Sequence, residues 1–180
     1  MLRRYHKTTL ERATLRAVKG TTVENPVVKP GVKPPYELVC STSYLLKRLG
    51  WKIKDRSAEA FEAAGASPYH YGVLAALGES ARETQATIAD ALGYDRSWLV
   101  GLLDELEEQG LIERKRDPAD RRRHLVSLKP AGKKKLEELR AISRRLEDEF
   151  LAGLDPEQRS QLHTLLRQLA EHHDPRYAAK

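Results

Sequence analysis

From Tyr36 onward the apolar positions fall into a helical rhythm. Leu38, Thr42, Leu45, Leu46, Leu49 and Ile53 are spaced three and four apart, which places them on one face of a helix. The pattern predicts that this helix runs toward Phe61 and ends near Ala64-Gly65. Ser67-Pro68 supplies a cap and a first-turn proline for the next helix, Tyr69 to Leu77, which Gly78-Glu79-Ser80 breaks. Thr84 caps a short helix, and Gly93 stands where a tight turn needs a left-handed residue. Asp95 then caps a longer helix from Arg96 to Gln109 that buries Leu99, Leu102, Leu103 and Leu106 on one side, with Gly110 just past its end. A hairpin follows. Arg114 to Arg116 lead in, Asp117-Pro118-Ala119-Asp120 turn the chain, and Arg121 to Leu128 run back, alternating from His124. Ala131 to Phe150 reads as a long helix with Leu136, Leu139, Ile142, Leu146 and Phe150 in register. Asp155-Pro156-Glu157-Gln158 opens a last helix striped with Leu162, Leu165, Leu166 and Leu169.

A short helix, a glycine-containing turn and a second helix are the order of a helix-turn-helix, whose second helix enters the major groove N-terminus first. Taken alone, that segment is equally a plain helical hairpin. The basic hairpin directly after it makes it a winged helix-turn-helix. The striped helices at both ends have no second core to cover them, so a second copy of the chain is their expected partner. The fold class is therefore mainly α with a small β-wing, a winged helix-turn-helix flanked by N- and C-terminal dimerisation helices. Residues 1–35 form a basic arm and a Pro-rich linker, 36–66 the first dimerisation helix, 67–130 the DNA-binding lobe and 131–180 the C-terminal dimerisation helices. In the arm, Arg3, Arg4, Lys7, Arg12, Arg16 and Lys19 face a single Glu11, and Pro26, Pro30, Pro34 and Pro35 extend the linker. It reads as a disordered tail, a second DNA contact or a helix laid over the dimer.

Charge narrows the partner. The chain has 180 residues and a formal net charge of +6, which favours nucleic acid first and an anionic membrane surface second. Residues 114–123 carry six cations against two acids. No apolar run is long enough to span a membrane, and the basic N-terminus has no apolar stretch behind it to make a secretory signal; the cytoplasm is the expected compartment. The one cysteine, Cys40, excludes an internal disulfide and a Cys-x-x-Cys zinc site. No Gly-rich phosphate loop, His-Glu-x-x-His or nucleophile elbow is present, so neither an enzyme nor a cofactor is expected. The six histidines give no metal site: His172 and His173 point apart on a helix, and His163 is nine residues earlier.

Three segments carry a family resemblance. They are Leu106-Glu107-Glu108-Gln109-Gly110-Leu111-Ile112-Glu113-Arg114, then Asp117-Pro118-Ala119-Asp120-Arg121-Arg122, then Leu128-Lys129-Pro130-Ala131-Gly132. Their order and spacing resemble the MarR (multiple-antibiotic-resistance regulator) family, over about Tyr36 to His173. The resemblance implies a triangular homodimer on double-stranded, pseudo-palindromic operator DNA. Members are transcriptional regulators, often repressors relieved by a small molecule or by oxidation. It puts Arg122 in the minor groove, where width and negative potential are read, and Asp120 as its brace. Lys115, Arg116 and Arg121 fall to the phosphates. Arg96, Ser97 and Trp98 occupy the front of the recognition helix, where Arg96 can reach a phosphate or a guanine edge and Ser97 a phosphate or a base. Two departures stand out. Val100 and Gly101 replace small polar and basic residues, while Asp104 and Glu105 behind them cannot bond phosphate. Lys129 replaces the usual threonine and cannot cap the helix that follows, a loss of about 1 kcal/mol.

Regulation has two candidate sites. Cys40, with Tyr44 one turn later, resembles the reactive cysteine and thiolate-bonding tyrosine of the family's hydroperoxide-sensing branch, although Pro68 falls near where another of that branch's tyrosines would sit. The other reading of Cys40 is a small apolar residue buried at the dimer interface. Trp51, Tyr69, His70 and Tyr71 lie in segments that line the family's effector pocket, and aromatic walls with a few polar groups suit a small aromatic or anionic ligand. Equally, they are ordinary core. A winged-helix module that binds protein instead of DNA is the remaining alternative, and the basic wing argues against it.

Overall fold

The computed structural model describes residues 31–80, 83–120 and 123–178. The described residues fall into two units, divided between Leu46 and Lys47. In the first, a short helix α1, Tyr36–Val39, stops at Cys40, and α2, Thr42–Ala63, begins after Ser41. The single helix expected from Tyr36 is thus interrupted, and the cause is Ser41. Its Oγ accepts from the Tyr44 N–H at 3.4 Å and its carbonyl from the Leu45 N–H at 3.0 Å, so it restarts the helix as a cap.

In the second unit, α2 closes on Gly65. Its φ of +67° lets Gly65 N–H and Ala66 N–H reach the carbonyls of Glu62 and Phe61 at 2.8 and 2.9 Å, a Schellman end. The next helix, α3, is Pro68–Glu79. It runs through Gly78 instead of ending there. A β-carbon at Gly78 would lie 2.6 Å from Leu136 Cδ2, so this glycine permits close packing and is not a breaker. The remaining elements are β1 Glu83–Thr84, α4 Gln85–Leu92, α5 Arg96–Glu108, β2 Ile112–Arg116, β3 His124–Leu128, α6 Pro130–Phe150 and α7 Pro156–His173.

The three strands form one antiparallel sheet in the order β1-β3-β2, with Ile112 opposite Leu128, Arg114 opposite Val126 and Arg116 opposite His124. The sequence pattern did not reveal β1, which pairs Glu83 with Val126 and Thr84 with Leu125. Leu99, Leu102, Leu103 and Leu106 of α5 are all buried. They meet Val73, Leu74 and Leu77 of α3, Ile88 of α4, Ile112 and Val126 of the sheet, and Leu136 and Leu139 of α6 in one core. Lys129 makes no side-chain cap for α6. Pro130 stands at the first helical position, where no N–H is needed. Asp155 and Gln158 form the expected capping box of α7. Among the described residues, no helix is long and apolar enough to cross a membrane, and no three His, Cys, Asp or Glu side chains gather as a metal site.

Candidate functional site

The front of α5 is fixed by its cap. Asp95 Oδ1 accepts from the Ser97 and Trp98 N–H groups at 2.9 and 3.0 Å and from the Ser97 hydroxyl at 2.6 Å. The Ser97 hydroxyl, then the Trp98 amide, hold the Asp95 carboxyl below its ordinary range. Ser97 is therefore occupied by the cap. Arg96 is free to act outward: its side chain is 71% exposed, and its one described partner, Asp90, is a comparably exposed carboxylate at 3.4 Å, a pairing worth little in water. Val100 is exposed beside it, and Gly101 opens onto empty space. Trp98 stands edge-on to Tyr69 and Tyr94, with ring centroids 4.8 and 5.1 Å away. It braces the start of α5 while keeping 44% of its surface in solvent. Burial, then the neighbouring Tyr69, push the Tyr94 phenol up from its ordinary value.

The wing has an inner and an outer end. At the inner end Arg114 turns back onto α5. Its Nη2 lies 2.6 Å from both Asp104 and Glu107, its Nε donates to Glu107 at 2.8 Å, and its backbone N–H donates to Glu107 at 3.0 Å. Asp104, read from the sequence only as unable to bond phosphate, is thus half of a clamp between recognition helix and wing. Glu105 has a different partner, His70 Nε2 at 2.9 Å. At the outer end Lys115, Arg116, Arg123 and His124 are exposed. Lys115 rests on Glu113 at 2.8 Å. Asp117 closes the turn by accepting from the Ala119 N–H at 2.8 Å. Asp120 holds Arg123, through backbone N–H to carbonyl at 2.8 Å and side chain to side chain at 3.4 Å. Arg121 and Arg122 lie outside the described residues.

Between α5 and the wing lies a groove of about 430 Å³, lined by Thr84, Ala86 and Thr87 at the start of α4, by Arg96 and Val100 of α5, and by Arg123 and His124 of the wing. Thr84 and Thr87 cap α4 reciprocally at 2.9 and 3.1 Å. A helix N-terminus and two guanidinium groups facing one groove suit an anionic backbone. Arg123 and His124 were not singled out by sequence reasoning. Arg123 was visible within the charge run, but nothing marked it as a partner of Asp120.

The four aromatic and imidazole residues expected around an effector each have other described partners. Trp51 lies under Lys47 and Arg48, 4.7 and 5.7 Å from its ring. Tyr71 stacks on Phe61 at 5.4 Å, and Tyr69 belongs to the Trp98 corner. His70 is buried, with Nδ1 accepting from the Ser67 N–H at 3.2 Å and Nε2 on Glu105. Cys40 is exposed at the break between α1 and α2, not on the long helix, while Tyr44 sits in the first turn of α2.

A MarR family model matches residues 65–123. A transcriptional regulatory protein assigned to the hcr operon of Thauera aromatica is 34% identical over 105 residues, 58% of this chain and 63% of that protein. The chain thus spans less than two thirds of that relative's length. The transcriptional regulator HosA of Escherichia coli O111:H- is 30% identical over 99 residues, 55% of this chain and 73% of its own. Among solved structures, CouR of Rhodococcus jostii RHA1 bound to p-coumaroyl-CoA superposes with a TM-score of 0.64 at 30% identity, covering 74% of this chain and 94% of CouR.

Proposed function

The chain belongs to the MarR family of transcriptional regulators, and on that premise we propose that it works as a homodimeric repressor on a pseudo-palindromic operator. The observation that carries this reading is the groove lined by Arg96 of the recognition helix, Arg123 of the wing and the capped start of α4. The two recognition helices of a dimer would meet successive major grooves about 34 Å apart. Homodimerisation through residues 36–66 and 131–180 is supported by leucines left exposed along both segments: Leu45, Leu46 and Leu49 in one, Leu165, Leu166 and Leu169 in the other. Arg122 extends the reading into the minor groove.

The test is a gel shift and salt titration on a duplex enriched from a random-sequence DNA pool. Arg122→Ala and Arg96→Ala are each expected to weaken binding about tenfold. Removing a cation that neutralises one phosphate flattens the slope of log affinity against log salt by about 0.9. Unchanged affinity and slope in both variants would exclude this face as the DNA contact. A small aromatic acid or its thioester is the proposed effector class, supported by the p-coumaroyl-CoA held by CouR. A thermal-shift screen that finds no response to any aromatic acid or aromatic acyl thioester would remove it.

A further inference from the structure

The last described segment reaches back to the DNA-reading unit. After α7, Asp174 caps a single 3-10 turn, Pro175–Tyr177, by accepting from the Arg176 N–H at 3.0 Å. The same carboxylate holds the fork of the Arg176 guanidinium, with Nε and Nη2 both donating to Oδ2, at 2.9 and 2.5 Å. That leaves Nη1, which donates to the Asp90 carbonyl at 3.0 Å, 86 residues earlier. Asp90 lies in the last turn of α4, where carbonyls lack helical partners and a cation is favoured.

Arg176 also covers the turn between the two reading helices. Gly93 has φ +68°, and a β-carbon there would lie 3.0 Å from Arg176 Nη1. The Asp90 carboxylate is in turn 3.4 Å from Arg96. One residue at the end of α4 is therefore touched by the C-terminal segment on its carbonyl and by the recognition helix on its side chain.

We propose that Asp174 and Arg176 form a latch by which the C-terminal segment positions the Gly93 turn, making Arg176 a positioning residue for DNA reading. The inference rests on the operator-binding reading above. The latch follows α7 directly, so a shift of that helix is passed through Arg176 to the Asp90 carbonyl and the Gly93 turn that leads into α5. Its chemistry suits the task. A guanidinium held by one carboxylate at Nε and Nη2 has a set direction, and its Nη1 donates to a single described carbonyl.

Two substitutions separate the latch from a direct phosphate contact. Asp174→Asn keeps a capping side chain but removes the charge that holds the fork, and Arg176→Ala removes the donor. Each is expected to raise the dissociation constant for the enriched duplex about fivefold. The double variant should be no worse than either single one, with the salt slope unchanged. In the free protein, amide hydrogen exchange at Gly93 and Tyr94, whose N–H groups both reach the Ala89 carbonyl, should quicken in both variants while the unfolding midpoint stays put. Unchanged exchange at those two amides overturns the latch. So does tighter binding by Asp174→Asn with a flatter salt slope for Arg176→Ala, which would make Arg176 a phosphate contact. If the unaltered protein binds no duplex, the operator reading fails, and the exchange measurement still decides the latch.

Discussion

Helices α5 and α7 carry leucines at the same three- and four-residue spacings, and the leucines meet opposite fates. Leu99, Leu102, Leu103 and Leu106 of α5 are buried, while Leu165, Leu166 and Leu169 of α7 are 59%, 40% and 48% exposed. The stripe alone therefore does not say where a helix is buried. What differs is the neighbourhood. Helix α5 is surrounded by α3, α4 and the sheet within its own chain, and the Arg114 clamp fastens it to the wing. The described polar ties of α7 to other elements lie at its ends, Arg159 to Asp148 at 3.1 Å and the Asp174–Arg176 turn. Polar ties at its ends and an apolar stripe outside are what the proposed dimer would require of α7.

The comparison breaks most easily at Leu103, which has no exposed surface. Leu103→Ala should lower stability by about 3 kcal/mol, from reduced burial plus the cavity left behind, read as a shifted denaturation midpoint. The proposed dimer should survive below that midpoint. A loss under 1 kcal/mol would mean that the α5 stripe is not the core of the lobe. The next largest effect belongs to α7. Leu165→Glu with Leu169→Glu puts two carboxylates on the proposed interface, and burying them unpaired is unfavourable. Self-association measured by sedimentation should weaken about a hundredfold or more, with the helical circular dichroism of the lobe retained. A double variant that stays dimeric at the original affinity would assign the stripe to something other than a second copy.

Much of this was legible because capping and turn chemistry are local. Ser67, Thr84, Asp95 and Asp155 each cap the helix expected of them, and Gly93 and Gly110 take the left-handed conformation that ends α4 and α5. Cation positions could be read too, but not their partners. Arg114 and Arg116 are two residues apart on one strand, yet only Arg114 lies over the Asp104 and Glu107 carboxylates of α5, because that choice depends on how the hairpin packs. Strand β1 is two residues long and exists only through its pairing with β3, so periodicity could not find it. Gly78 looked like a breaker because its role lies in Leu136, far along the chain. The neighbours of the candidate effector residues were not legible for a similar reason. Segment proximity in sequence left Tyr69, His70 and Tyr71 facing a tryptophan corner, a glutamate and Phe61 respectively.

The smallest expected effect tests whether polar contacts or leucines hold α5 to the wing. Arg114→Ala removes a guanidinium shared by two carboxylates, but Asp104 and Glu107 keep 49% and 37% of their side-chain surface in water. Solvent discounts the loss to about 1–2 kcal/mol, below the Leu103 effect. The Arg114 hydrogen bond holds the Glu107 carboxyl below its ordinary value of 4.5. A carboxyl depressed in the folded state contributes stability that is fully present above its unfolded value and is lost as pH falls through the folded one. The difference between the unaltered protein and Arg114→Ala, followed by urea unfolding, should therefore be constant near neutrality. It should shrink as pH drops below 4.5. Arg114→Lys keeps the charge without the fork and should recover only part of the loss. A difference that does not change with pH on the acid side would show that Arg114 holds the wing through its aliphatic stem, and that leucine packing alone fixes the recognition helix.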